Sequence, residues 1–122
     1  MRFNCEKLEV YQLSRKLVVE IYKITEIFPP TEKFGLTAQL RRSAVSICLN
    51  IAEGSGKWSR KDFANFIRIA IGSTIETDTG LKLAIDLKFI SKKELEKAEK
   101  IIEELYFKLI GLHKSLTKQK TS

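Results

Sequence analysis

Seven residues near the end of the chain recur at steps of three and four without a break: Leu95, Ala98, Ile102, Leu105, Leu109, Leu112 and Leu116. Only a helix aligns such a series on one face, so a long helix here must bury a continuous apolar stripe. Ser91 with Glu94 three residues later forms the capping box that opens it. The same period recurs upstream. Val10, Leu13, Leu17, Ile21, Ile24 and Phe28 predict a helix from about Glu6 to Ile27, stopped by Phe28-Pro29-Pro30 because proline disfavours helical geometry in the residue before it. Leu36, Leu40, Ala44, Ile47 and Ile51 predict a second from about Gly35 to Glu53, with Gly54 as its stop. After the Gly54–Trp58 break, Ser59 and Asp62 read as the N-cap and acidic first turn of a third. Its stripe is Phe63, Ile67, Ala70, Thr74, Thr77, Leu81 and Ile85, weakened in the middle by Thr74, Thr77 and Gly80.

Four long helices with short connections imply an all-α fold, an antiparallel up-down four-helix bundle. At 122 residues the chain holds one domain, residues 1–117, followed by a polar tail at 118–122. The longest charge-free run, Ser43 to Ala52, is half of what a membrane span needs, and acids and bases interrupt any secretory signal. Two cysteines, Cys5 and Cys48, make no disulfide framework, so the expected compartment is the cytoplasm.

A single histidine, His113, narrows the chemistry. Sites with two His ligands are excluded, and a di-iron bundle cannot be built. A nucleophile–His arrangement would depend on His113, in a segment with no acid after Glu104. Gly54-Ser55-Gly56-Lys57 is no phosphate loop, because Ile51 stands where its first Gly belongs and Trp58 where Ser or Thr must follow the Lys. The expectation is a protein that is not an enzyme, with no metal, cofactor or small-molecule substrate.

Secondary faces carry more information about function. Tyr11, Val18 and Tyr22 form a second apolar strip on the first helix, and Tyr106, Phe107 and Ile110 do so on the fourth. One wide core could absorb them. A subunit interface is the preferred reading, with Tyr11, Val18, Tyr22, Phe107 and Ile110 as its candidates. The second helix is apolar around most of its circumference, apart from a strip of Gln39, Ser43, Ser46, Asn50 and Glu53. That strip needs partners, and Glu76, Asp78 and Arg42 are the candidates for a structural polar network with Gln39, Asn50 and Glu53. Cys48 reads as a small core residue and His113 as a surface one.

Lysines and arginines outnumber acids 22 to 15, a formal net charge of +7. The excess is uneven. Between Lys33 and Lys61 stand six bases and one acid, and from Leu105 onward four lysines and no acid. The cluster Lys57-Trp58-Ser59-Arg60-Lys61 puts three bases and an aromatic where backbone N–H groups open a helix, a place suited to phosphate. The nucleic-acid-binding candidates are Arg41, Arg42, Lys57, Trp58, Arg60, Lys61 and Arg68. Trp58 also reads as a lid over the bundle end, and Arg42 as a structural partner of Glu53 or Glu76.

Phe28-Pro29, Glu32, Gly35-Leu36, Gln39-Leu40-Arg41-Arg42, Ser46, the run Asn50-Ile51-Ala52-Glu53-Gly54, Ala70, Gly72-Ser73 and Glu76 together resemble the four helix bundle protein family. That family includes the 23S rRNA-intervening sequence proteins and is similar to the accessory protein of diversity-generating retroelements. The resemblance spans roughly Val10 to Ile90. It departs at Thr74, Thr77 and Gly80, where the family tends to Leu, Leu and a larger polar residue. What it implies is a bundle assembling into a barrel-like homopentamer with a basic surface, and no catalytic residue. Its retroelement relatives bind nucleic acid and a reverse transcriptase. The expected function is therefore a non-enzymatic, oligomeric, RNA- or DNA-binding protein. The alternative is a scaffold or adaptor for an acidic or polymerase-type protein partner.

Overall fold

The computed structural model describes residues 3–118. Four α-helices carry the chain: α1 (Glu9–Glu26), α2 (Leu36–Ser55), α3 (Arg60–Asp86) and α4 (Lys92–Thr117). Short 3-10 turns at Asn4–Lys7 and Pro30–Glu32 precede α1 and α2, and there is no strand among the described residues. The tail expected at 118–122 lies outside the described residues after Lys118.

Each helix packs on its chain neighbours, and α1 closes against α4. Cross-helix bonds fix the directions. Arg41 near the start of α2 reaches Thr25 at the end of α1, Ser46 and Ser43 of α2 meet Ser73 and Thr77 of α3, and Lys97 and Lys108 of α4 meet Glu20 and Glu9 of α1. An up-down antiparallel four-helix bundle accounts for all of these. Its core runs the full length, from Val10, Leu17 and Ile21 through Ile47, Ile51, Ile67 and Leu81 to Ile102, Leu105 and Leu109. Among the described residues no helix is long and apolar enough to cross a membrane.

The periodic stripes locate the helices, and the differences lie at their ends. Helix α1 begins at Glu9, because the Leu8 N–H closes a 3-10 turn on the Cys5 carbonyl and Leu8 itself is extended. Helix α2 runs through Gly54 and stops at Gly56. Gly54 is instead a point of close approach: a Cβ there would lie 2.6 Å from Cβ of Phe66 on α3. Gly80 likewise makes room for Leu40, since a Cβ would meet its Cδ2 at 2.6 Å. Helix α3 thus continues unbroken through Thr74, Thr77 and Gly80, all buried. On α4, Leu95, Ala98, Ile102, Leu105 and Leu109 are buried, while Leu112 and Leu116 are half-buried near its end. The Ser59 and Ser91 caps form as the sequence predicts, each hydroxyl accepting from the backbone N–H three residues on.

Helix α3 ends on a signal with no glycine in it. The Phe89 N–H bonds to the Ala84 carbonyl and the Lys88 N–H to that of Ile85, with Lys88 at φ 63°. This is a left-handed C-terminal cap built on a lysine. Phe89 is thereby turned onto Phe28, with ring centroids 5.5 Å apart.

Candidate nucleic-acid interface

The antiparallel order brings the first turn of α3 beside the last turn of α4. The Arg60 guanidinium donates to the Ser115 carbonyl, covering one of the carbonyls that α4 leaves unpaired at its end. Two basic stretches far apart in sequence therefore share one end of the bundle: Lys57, Arg60 and Lys61 from one, Lys114 and Lys118 from the other. All five are exposed. Each charge is ordinary alone. Together they make a positive field at one pole of the molecule.

Trp58, next to Lys57 in the loop that opens α3, is fully exposed. It does not lie over the bundle, so the reading of Trp58 as a lid fails; Leu109, Leu112 and Leu116 close that end of the core without it. An exposed indole among cations is an unusual surface, since large aromatic side chains normally bury most of their area. Beside it, the Lys57 ammonium sits 5.2 Å from the Phe66 ring centroid. At the N-terminus of α3, Ser59 Oγ accepts from the Asp62 N–H and the Ser59 carbonyl from the Phe63 N–H, while the N–H groups of Arg60 and Lys61 come before the first intrahelical bond.

The remaining basic candidates lie elsewhere. Arg68 is exposed on α3, two turns from the loop. Arg41 and Arg42 are about 20 Å up α2 from it, at 1.5 Å rise per residue. Arg41 is structurally committed: Nε donates to Thr25 Oγ1 at 2.9 Å, the guanidinium stacks 4.4 Å over Tyr22, and Glu26 lies 3.6 Å away. Arg42 is exposed and pairs with neither Glu53 nor Glu76.

The polar strip of α2 finds partners of a different kind from those expected. Ser43 Oγ lies 2.7 Å from Thr77 Oγ1 and Ser46 Oγ 3.0 Å from Ser73 Oγ, while Asn50 donates back to Ser46. Gln39, Glu53 and Glu76 are exposed, and their side chains join no network among the described residues. Asp78 instead pairs with Lys82 at 2.7 Å, which holds that ammonium above its ordinary pKa. Hydroxyls suffice where α2 and α3 approach this closely, and carboxylates would be too costly to desolvate there.

Of the interface candidates, Tyr11 and Val18 are half-buried against the core, Ile110 is half-buried, and Tyr22 and Phe107 are exposed. His113 is half-buried rather than free on the surface, and Cys48 is half-buried outside the core cluster. No group of three or more His, Cys, Asp or Glu able to hold a metal occurs among the described residues. Sequence reasoning missed a second basic surface. Arg15, Lys16 and Lys23 of α1 converge with Lys97 of α4 on a groove of about 610 Å³. The seven-residue step from Lys16 to Lys23 is the one signal that could have shown it.

Comparison with known proteins follows the same lines. No curated protein matches the chain. Among solved structures, a protein of unknown function from the S23 ribosomal protein family of Bacteroides thetaiotaomicron VPI-5482 superposes with a TM-score of 0.79 at 29% identity, over 86% of this chain and 98% of that one. The model of the 23S rRNA-intervening sequence proteins matches residues 6–111, which takes in α1, α2 and α3 whole and α4 as far as Gly111. The chain belongs to the 23S rRNA-intervening sequence protein family.

Proposed function

We propose that this protein is a non-enzymatic, self-associating nucleic-acid-binding protein of the cytoplasm, and that RNA is its ligand. The observation that carries this reading is the end of the bundle that Lys57, Arg60, Lys61, Lys114 and Lys118 share with the exposed indole of Trp58. Cations hold the phosphate backbone and release its counterions, and an aromatic face stacks on bases without demanding a sequence. Such a surface favours single strands, whose bases are free to stack. Self-association multiplies the effect: copies of the pole on one assembly turn weak phosphate contacts into strong binding.

Trp58 is the single tryptophan of the chain and reports directly on its own surroundings. Titration of its fluorescence with single-stranded RNA at low salt should give quenching that saturates in the micromolar range, and weaker quenching with duplex RNA. Unchanged emission together with no binding by a label on the RNA would defeat the proposal. Binding of RNA with unchanged emission would move the site away from this pole.

A further inference from the structure

The end of the bundle opposite Trp58, where α1 and α3 finish and α2 and α4 begin, exposes three large apolar side chains on turns. Ile27 is 53%, Phe34 89% and Leu87 56% exposed. The Phe28–Phe89 ring contact joins the two turns that carry them, residues 26–36 and 86–94. The core does not require these three, since Phe28 and Ile90 already close it here. Four lysines stand on the same turns, Lys33, Lys88, Lys92 and Lys93, all exposed and none in an ion pair among the described residues. The turns hold four acids as well, but three are engaged locally. The Glu32 carboxylate accepts from the Leu36 N–H at 3.0 Å, that of Glu94 from the Ser91 N–H at 2.8 Å, and Glu26 lies 3.6 Å from Arg41. Their charge faces a helix N-terminus or a guanidinium. What this end presents to solvent is apolar tips among lysines.

We propose that this end docks on an anionic membrane surface, with Ile27, Phe34 and Leu87 entering the headgroup region and the lysines meeting lipid phosphates. The site lies a helix length from the Trp58 pole, about 40 Å at 1.5 Å rise per residue, and does not rest on the RNA reading. A phenyl ring 89% exposed projects from the surface and lines no cleft, so an amphipathic partner helix finds no groove here to fill. A bilayer interface needs none. It closes around each tip separately, and anionic lipids attract every lysine held near the surface. The Lys33 ammonium lies 5.6 Å from the Phe34 ring centroid, so its stem follows the ring while its charge stays at phosphate level. The tips are also held in place. Pro29 and Pro30 fix the turn before Phe34, and the left-handed cap at Lys88 fixes Leu87, so little freedom is lost on docking.

Tryptophan emission locates the contact, because the single tryptophan, Trp58, stands at the other end. Phe34→Trp in a Trp58→Phe background moves the reporter to the tip. With vesicles of phosphatidylcholine and phosphatidylglycerol its emission should shift to the blue, while Trp58 in the parent should not shift. Flotation should carry the parent up with these vesicles, and at least tenfold less with phosphatidylcholine alone. Two variants separate the contributions: Phe34→Ser with Leu87→Ser, and Lys33→Gln with Lys88→Asn and Lys93→Gln. All five positions are exposed, asparagine suits the left-handed backbone at 88, and circular dichroism checks helix content. Each variant should weaken vesicle binding at least tenfold and keep the parent's affinity for RNA. A parent that floats with neither vesicle overturns the proposal, and binding of polyglutamate in its place would assign this end to an acidic protein. Either variant binding vesicles like the parent also overturns it, as does a blue shift of Trp58 in the parent, which would mark general attraction to a basic chain. A lysine variant that loses RNA affinity gives this end to nucleic acid, and the membrane site falls.

Discussion

The hydroxyl oxygens of Ser43 and Thr77 lie 2.7 Å apart in the seam between α2 and α3, with both side chains buried. Ser43 is also within reach of the Leu40 carbonyl at 3.1 Å, and Thr77 of the Ser73 carbonyl at 2.8 Å. Each hydroxyl has one proton, so one of these contacts always goes without a donor. The pair acts as a unit that fixes the register of two helices.

Removing one hydroxyl from that unit should therefore cost more than half of removing both. Thr77→Val is expected to destabilise by about 1 kcal/mol, and the double variant with Ser43→Ala by little more. Urea denaturation of both single variants and the double variant measures the coupling directly. Additive losses would mean that the two hydroxyls act independently.

Two glycines on neighbouring helices should respond to alanine with opposite signs. At Gly54 the new methyl would meet Phe66 Cβ at 2.6 Å and Phe63 Cδ1 at 3.1 Å, and a Cβ cannot swing aside. Overpacking of this kind costs about 1–3 kcal/mol, more than the helix propensity that alanine gains. At Gly72 nothing lies within 4 Å, so Gly72→Ala should stabilise by about 0.5–1 kcal/mol. Thermal melts of the two variants decide it. A rise in Tm for Gly54→Ala would mean that α2 and α3 are not held this closely.

Acidification should release the clasp between α1 and α4. Glu9 is held below its ordinary pKa of 4.5 by the hydrogen bond and charge of Lys108, and Lys108 is held above 10.5 by Glu9. The carboxylate's contribution is present above 4.5 and lost as pH falls through its lower folded value; the ammonium's is present below 10.5 and lost as pH rises through its higher one. The pair is exposed, so its effect is small and screened by salt. The Tm difference between the parent and Glu9→Gln should hold through neutral pH and shrink below about pH 4. A difference that stayed constant on acidification would show that the clasp contributes nothing.

The helices were legible because burial imposes a period, and the series from Leu95 to Leu116 admits no other reading. Helix ends were less so. Gly54 looks like a stop in sequence, yet its missing side chain serves the approach of Phe66, which lies on another helix. Lys88 caps α3 in a conformation that glycine usually signals, so nothing in the sequence marked it. The polar strip was visible, but its partner Thr77 was hidden on a stripe that reads as weakened core, and its partner Ser73 lies beside that stripe. The loop cluster was legible as a basic run. Its union with Lys114 and Lys118 was not, because it depends on which helix ends meet. The basic groove of Arg15, Lys16, Lys23 and Lys97 was only half legible, since the Lys16–Lys23 step is in the sequence but the packing of α1 on α4 is not.

The central claim is that the pole around Trp58 holds RNA by its phosphates. Labelled single-stranded RNA titrated across a salt series, with the parent and a Lys57→Ala/Lys61→Ala/Lys114→Ala variant, tests it most directly. Arg60 is left in place because it ties α3 to α4. For the parent, log K should fall linearly with log salt. The variant should bind more weakly, with a slope reduced by about 0.7 for each phosphate that is no longer neutralised. A correctly sized variant with the parent's affinity and slope would contradict the account.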